Sequence, residues 1–171
     1  MFLAIGLAAS VHATTLQSLS TDDMVSKSTT IVHAKVVGMR TAFSGQDIFT
    51  YYQLQVIESW KSPMTQPVEV AVPGGASRGS RQTVVGAPSL SIGGEYVMFV
   101  WTSKSGLSQV LGLSQGLFNV RTSSNGDPVL VRPAITDLML DSTGQVVNPQ
   151  AITMTLSDLR AKIQQLGAGT K

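Results

Sequence analysis

The chain has no cysteine, so disulfides, thiolate metal sites, a cysteine nucleophile and lipid attachment at an N-terminal cysteine are all excluded. It has two histidines, His12 and His33, too few for a catalytic zinc site, which normally takes three protein ligands including more than one nitrogen or sulfur donor. Charge is sparse: 12 Lys and Arg stand against 10 Asp and Glu, and a formal +2 spread over 171 residues does not make a nucleic-acid surface. Past the first residues no stretch approaches the ~18 consecutive apolar residues of a membrane-spanning helix. No His-Glu-x-x-His motif or internal repeat occurs. Hydrophobic residues still make up 43% of the chain, enough for one domain to bury its own core.

The opening MFLAIGLAASVHA has an apolar run from Phe2 to Ala9 and small residues at Val11 and Ala13 in the spacing of a signal-peptidase site. It predicts a signal peptide over residues 1–13, truncated at its start because a basic leader is missing. A single exported domain over 14–171, periplasmic or extracellular, would follow. The alternative is a buried N-terminal strand or helix.

Period-two patterns dominate the remainder. In STTIVHAKVVGMR, Val32, Ala34, Val36 and Gly38 share one face, opposite His33 and Lys35; in IFTYYQLQVIESW, Tyr52, Leu54 and Val56 do so. Pro63 and Pro67 end the latter strand. VEVAVP turns Val68, Val70 and Val72 inward, and EYVMFVWT is apolar on both faces, which marks a strand covered on each side at the centre of the sheet. LSQVLG and GLFNVRTS are shorter strands, the second joined to PVLVRP across Asn125-Gly126, a pair suited to a tight hairpin turn, and LMLDSTGQVV is a further small hairpin. A short helix follows Ser20 or Thr21, with Asp22 and Asp23 in its first turn. A C-terminal helix over 156–166 lines up Leu156, Leu159, Ile163 and Leu166, with Ser157 as cap and Gly167 as stop, covering one end of the sheet. The fold class is all-β with short terminal helices: a closed or partly open antiparallel barrel, OB-like, with a β-sandwich as the alternative.

PGGASRGSRQTVVG, Pro73 to Gly86, approaches a phosphate-binding loop but fails as one. Ser80 stands where the lysine belongs, Arg81 where the hydroxyl belongs, and a β-branched run follows in place of a helix. It reads as an exposed loop whose arginines can form a recognition tip. His33 lacks a visible nucleophile and orienting acid, so a solvent-facing strand histidine is the plainer reading. Two of Glu58, Glu69 and Glu95 could in principle serve as a glycosidase pair, but outward carboxylates that keep a sheet edge soluble are the ordinary explanation, and none is assigned to catalysis. Asp22, Asp23, Asp137 and Asp141 fall at caps and turns, and Phe99 and Trp101 read as packing. The candidate binding residues are Trp60, Lys61, Arg78, Ser80 and Arg81; catalytic residues, metal and cofactor are none.

The segments VPGG, GAPSLSIGGEYVMF and GLSQGLF, within Leu16 to Val120, resemble an uncharacterised family of exported bacterial proteins whose members occur alone or near matrixin-like metalloproteases. More distantly the layout is similar to the netrin-like OB barrel of the tissue inhibitors of metalloproteinases. Those inhibitors use an N-terminal cysteine that this chain lacks, so only the barrel carries over. With no complete catalytic set and a long exposed Gly/Arg loop, the leading expectation is a non-enzymatic, exported binding module with the Ser62–Gly86 side as its contact surface, its partner another exported protein, a metalloprotease being one such partner. Alternatives are a protease inhibitor acting through the 74–86 loop, with ASRGSRQT entering a cleft as an extended strand, and a hydrolase using carboxylates or His33.

Overall fold

The computed structural model describes residues 15–64 and 68–168. The signal-peptide reading, the expected mature start at Thr14 and the strand stop at Pro67 lie outside them. In chain order the elements are β1 (Leu16–Gln17), α1 (Thr21–Lys27), β2 (Thr30–Ser44), β3 (Asp47–Ser59), β4 (Glu69–Pro73), β5 (Gly75–Ser77) and β6 (Ser80–Gln82). They continue with β7 (Glu95–Thr102), β8 (Ser108–Val110), a 3-10 turn at Leu113–Gly116, β9 (Leu117–Thr122), β10 (Pro128–Arg132), β11 (Met139–Leu140), β12 (Val146–Val147), β13 (Ile152–Thr155) and α2 (Leu156–Ala168). The protein is all-β with two short helices, as its period-two patterning demands.

One eight-stranded sheet organises the molecule, in the order β13-β10-β9-β7-β2-β3-β4-β8. Because β8 also pairs with β7, five strands follow one another round a ring: β2, β3, β4, β8, β7 and back to β2. Its weak seam is the parallel β4–β8 contact, which rests on the single pair Ala71↔Gln109, so the ring is not closed as a barrel. Two register shifts bend the β2–β3 hairpin, one leaving Ile57 and the other Val37 without a cross-strand partner. Both bulged residues are exposed, at 54% and 50%, as a side chain thrown out of alternation would be.

β7 is the hub, and its apolar composition has a direct cause. Along one edge it pairs with β2; along the other, Val100–Thr102 pair with β8 and Tyr96–Met98 with β9. Tyr96, Met98 and Val100 point into the ring with Val32, Val36, Leu54 and Val70. Val97 and Phe99 point the other way, into a second core with Met24 and Val25 of α1, Ile31, Phe118, Leu130, and Leu159 and Ile163 of α2. The C-terminal helix therefore covers a face of the sheet rather than one of its ends.

Both helices begin on reciprocal caps. Ser20 Oγ accepts from the Asp23 backbone N–H while Asp23 Oδ2 accepts from the Ser20 N–H. At α2 the cap is Thr155 rather than Ser157: Thr155 Oγ1 accepts from the Asp158 N–H and Asp158 Oδ2 from the Thr155 N–H. A residue three before an acidic partner satisfies two end groups, whereas Ser157 lies two positions too late to do so. The helix also runs through Gly167 to Ala168. β1 and β13 are strands that no sequence pattern marked; β1 pairs in parallel with β11, which forms the expected small hairpin with β12.

Candidate functional site

The residues singled out from the sequence lie in two places. Trp60 donates its backbone N–H to Ile31 O near the start of β2, and its ring is half-buried against the helix-covered core. Lys61 sends its ammonium to the carbonyls of Val25 at 2.7 Å, Ser26 at 3.1 Å and Ser28 at 2.5 Å. These oxygens end α1, where a cation satisfies orphan carbonyls and meets the negative end of the helix dipole. Burial lowers the lysine's pKa. Lys61 is thus engaged at the end of α1 while remaining an exposed residue, and Trp60 packs against the helix-covered core.

The arginine segment forms the other place. It is a hairpin rather than an open loop: β5 and β6 pair antiparallel with Ser77↔Ser80 as the last pair, across a two-residue turn of Arg78 (φ +48°) and Gly79 (φ +78°). Two positive φ values match the twist of the flanking strands, and Gly79 takes its share at no steric cost. The base is fastened: Thr41 Oγ1 donates to Ala76 O at 2.6 Å, the Ile48 N–H to Gln82 Oε1 at 2.6 Å, and Gln82 Nε2 to Asp47 Oδ1 at 3.0 Å. Gly75 sits where a Cβ would lie 2.7 Å from Thr50 Oγ1, so only glycine lets β5 come this close to β3. At the tip Arg78, Ser80 and Arg81 are exposed, and neither guanidinium has an ion pair or hydrogen bond among the described residues. Thr41 is ten residues beyond Ile31 on β2, on the order of 30 Å of strand at ~3.3 Å per residue, so Trp60 and Lys61 do not share a surface with the arginines.

What the hairpin does adjoin is a groove over the seam. A cavity of about 300 Å³ beneath it is lined by Tyr52, Gly74, Arg81 and Val84. A second, of about 240 Å³, is lined by Ala71, Trp101, Gln109 and Leu113, and the two share Val72, Pro73 and Pro88. Trp101, expected to pack, is 43% exposed there. It follows Val97 and Phe99 along β7 but is not part of the helix-covered core that holds them. The groove exists because β4 and β8 meet at one residue pair, and no sequence pattern announces a weak seam.

His33 differs from its expectation. It is 7% exposed, not solvent-facing, because α2 and the Trp60 turn cover that face of β2. Its Nε2 lies 2.6 Å from Glu95 Oε1, and its ring centroid 6.2 Å from that of Trp60. Arg160 of α2 sits over the Trp60 ring at 5.5 Å and bonds Glu58, the residue opposite His33 on β3. The buried Trp60 indole N–H, the Arg160 guanidinium and His33 hold the Glu58 carboxyl below its ordinary range. Glu69 pairs with Arg40 at 2.7 Å. Each glutamate thus has a specific partner rather than simply decorating an edge. Among the described residues no hydroxyl is bonded to His33, and no group of three or more His, Asp or Glu is arranged to hold a metal ion.

No helix among the described residues is long and apolar enough to cross a membrane. Compared with protein-family models, with curated proteins and with solved structures, the chain finds no match in any of the three.

Proposed function

We propose that this chain is a non-enzymatic binding module for another exported protein, with the β5–β6 hairpin and the adjoining groove as its contact surface. One observation carries the reading: two unpaired arginines stand on a hairpin whose base is fastened at Thr41, Ile48 and Asp47. Ordering a flexible loop on binding costs free energy; a hairpin already held in one conformation avoids most of that cost. Arg and Trp are the residue types that dominate binding energy at interfaces, and the groove has Arg81 at one end and Trp101 at the other. An acidic segment on the partner would complement the tip. The engagement of Glu58, Glu69, Glu95 and His33 with neighbours weighs against a hydrolase built on them.

Inhibition of a protease by the same surface is a second reading, favoured by the two exposed arginines, which suit a basic-specific cleft. It requires docking of the formed hairpin, since Arg78 lies in a tight turn and not in an extended strand. The deciding experiment is chemical cross-linking of the exported protein in its native fluid, followed by mass spectrometry. An Arg78→Ala/Arg81→Ala variant should lose the partner by tenfold or more, the loss of roughly one charge-assisted contact. Capture unchanged in that variant, or turnover of a substrate by the purified chain, would overturn the proposal. Inhibition of a trypsin-like protease that vanishes in the variant would select the second reading.

A further inference from the structure

Arg132 ends β10 on the same face as the fully buried Leu130, and it is 5% exposed. Its guanidinium makes one hydrogen bond, from Nη1 to Gln115 O at 3.1 Å, and lies 5.6 Å from the Phe118 ring centroid. Nε is buried without a partner, Nη2 makes no hydrogen bond, and no carboxylate lies within ion-pair distance among the described residues. Arginine does not shed its charge to escape burial as lysine does. A buried cation without a counter-charge is unfavourable unless something supplies one.

Arg132 lines a cavity of about 190 Å³ together with Gly86, Ser114 and residues 133–137. The same cavity is lined by Asp137, half-buried and likewise without a hydrogen bond or ion pair among the described residues. Asp137 Oδ2 would lie 3.1 Å from a Cβ on Gly86, so the glycine leaves that carboxylate its room. Two opposite charges thus share one small cavity without reaching each other, flanked by the hydroxyl-bearing Ser114 and Thr136.

We propose that this cavity binds a small zwitterion, a free α-amino acid or a close analogue, with its carboxylate on Arg132 and its protonated amine on Asp137. A simple anion would satisfy Arg132 but meet the Asp137 carboxylate, and a simple cation would meet the reverse. A ligand carrying both charges complements the pair. The site is separate from the hairpin groove, so its occupancy does not depend on the partner proposed above.

The test is calorimetric titration of the whole chain with free glycine and L-alanine, with acetate and methylamine as single-charge controls, at neutral pH. The amino acids should bind at least about tenfold more tightly than either control. Asp137→Asn, at a partly exposed position, should erase the preference for free glycine over acetate. Arg132→Lys should weaken free glycine about tenfold or more through loss of the planar fork, and a melting curve will tell lost binding from lost folding. No heat and no shift of the Arg132 side-chain nitrogen resonances at on the order of 10 mM free glycine would overturn the proposal. So would equal affinities for free glycine and acetate, or a preference unaltered by Asp137→Asn.

Discussion

Gln115 illustrates what a single buried polar side chain does in this protein. It is 2% exposed and fully occupied: Oε1 accepts from the Leu19 N–H at 2.8 Å, Nε2 donates to Gln17 O at 2.9 Å, and its own carbonyl takes Arg132. The amide thereby fastens the chain before α1 to the 3-10 turn, ninety-odd residues away. Gln115→Ala would leave two part-buried backbone groups, Leu19 N–H and Gln17 O, without these partners, at about 1–3 kcal/mol each. A stability loss of roughly 2–4 kcal/mol in urea denaturation is expected; a loss under about 0.5 kcal/mol would mean that water replaces the amide freely. His33 and Arg132 teach a related lesson in reading alternation. Leu130 and Arg132 share a face of the strand PVLVR, so the pattern did point the arginine inward, whereas His33 sits on a face that only α2 and Trp60 bury.

Among the elements, the capped helices and the β11–β12 turn link the fold to pH. Asp23 is held below its ordinary value of 3.8 first by the Ser20 hydroxyl, then by the Ser20 backbone N–H and by Lys27. Asp158 is held down by the Thr155 hydroxyl and N–H, and Asp141 by the Thr143 hydroxyl and the N–H groups of Gln145, Thr143 and Gly144. A carboxyl depressed in the folded state takes up its proton more readily when unfolded. Its contribution is therefore complete above 3.8 and disappears as pH falls through the lower, folded values. The urea midpoint should decline in that acid window, and less steeply in an Asp23→Asn/Asp158→Asn double variant; parallel declines in the two proteins would show that the caps do not carry the effect. The caps also separate what composition reveals from what geometry selects. Ser20 with Asp23 is legible as a residue three ahead of an acid, and Thr155 with Asp158 follows the same rule, yet Ser157 is the cap expected from the sequence, and only the start of the helix at Leu156 selects Thr155.

At the scale of the whole molecule, stability should be uneven in a way the topology dictates. β2 and β7 are paired on both sides and covered by a core on each face, while the ring's only parallel contact is one residue pair between β4 and β8. Amide hydrogen exchange should find the slowest protons at Val32–Ala34 and Val97–Phe99 and markedly faster ones in β8 and its flank on β4. Equal protection across the seam would mean that the ring behaves as a closed barrel, and the groove would then be too stiff to adapt to a partner. The proposed contact surface and the seam coincide, so the least stable part of the ring is also where binding is expected.

Composition and alternation by themselves determined that the chain is all-β with short helices, that EYVMFVWT lies at its centre, and that Val70, Val72, Tyr52 and Leu54 face inward. Each follows from local rules: strands alternate with period two, and apolar surface leaves water wherever it is carried. Only the tertiary structure decided that β8 and β9 divide one edge of β7, that Lys61 is spent on α1 while the arginines stand free, and that Arg132 and Asp137 line a common cavity. Those outcomes depend on which distant segments meet, and the pairing of residues far apart in a chain leaves no periodic trace in either one alone.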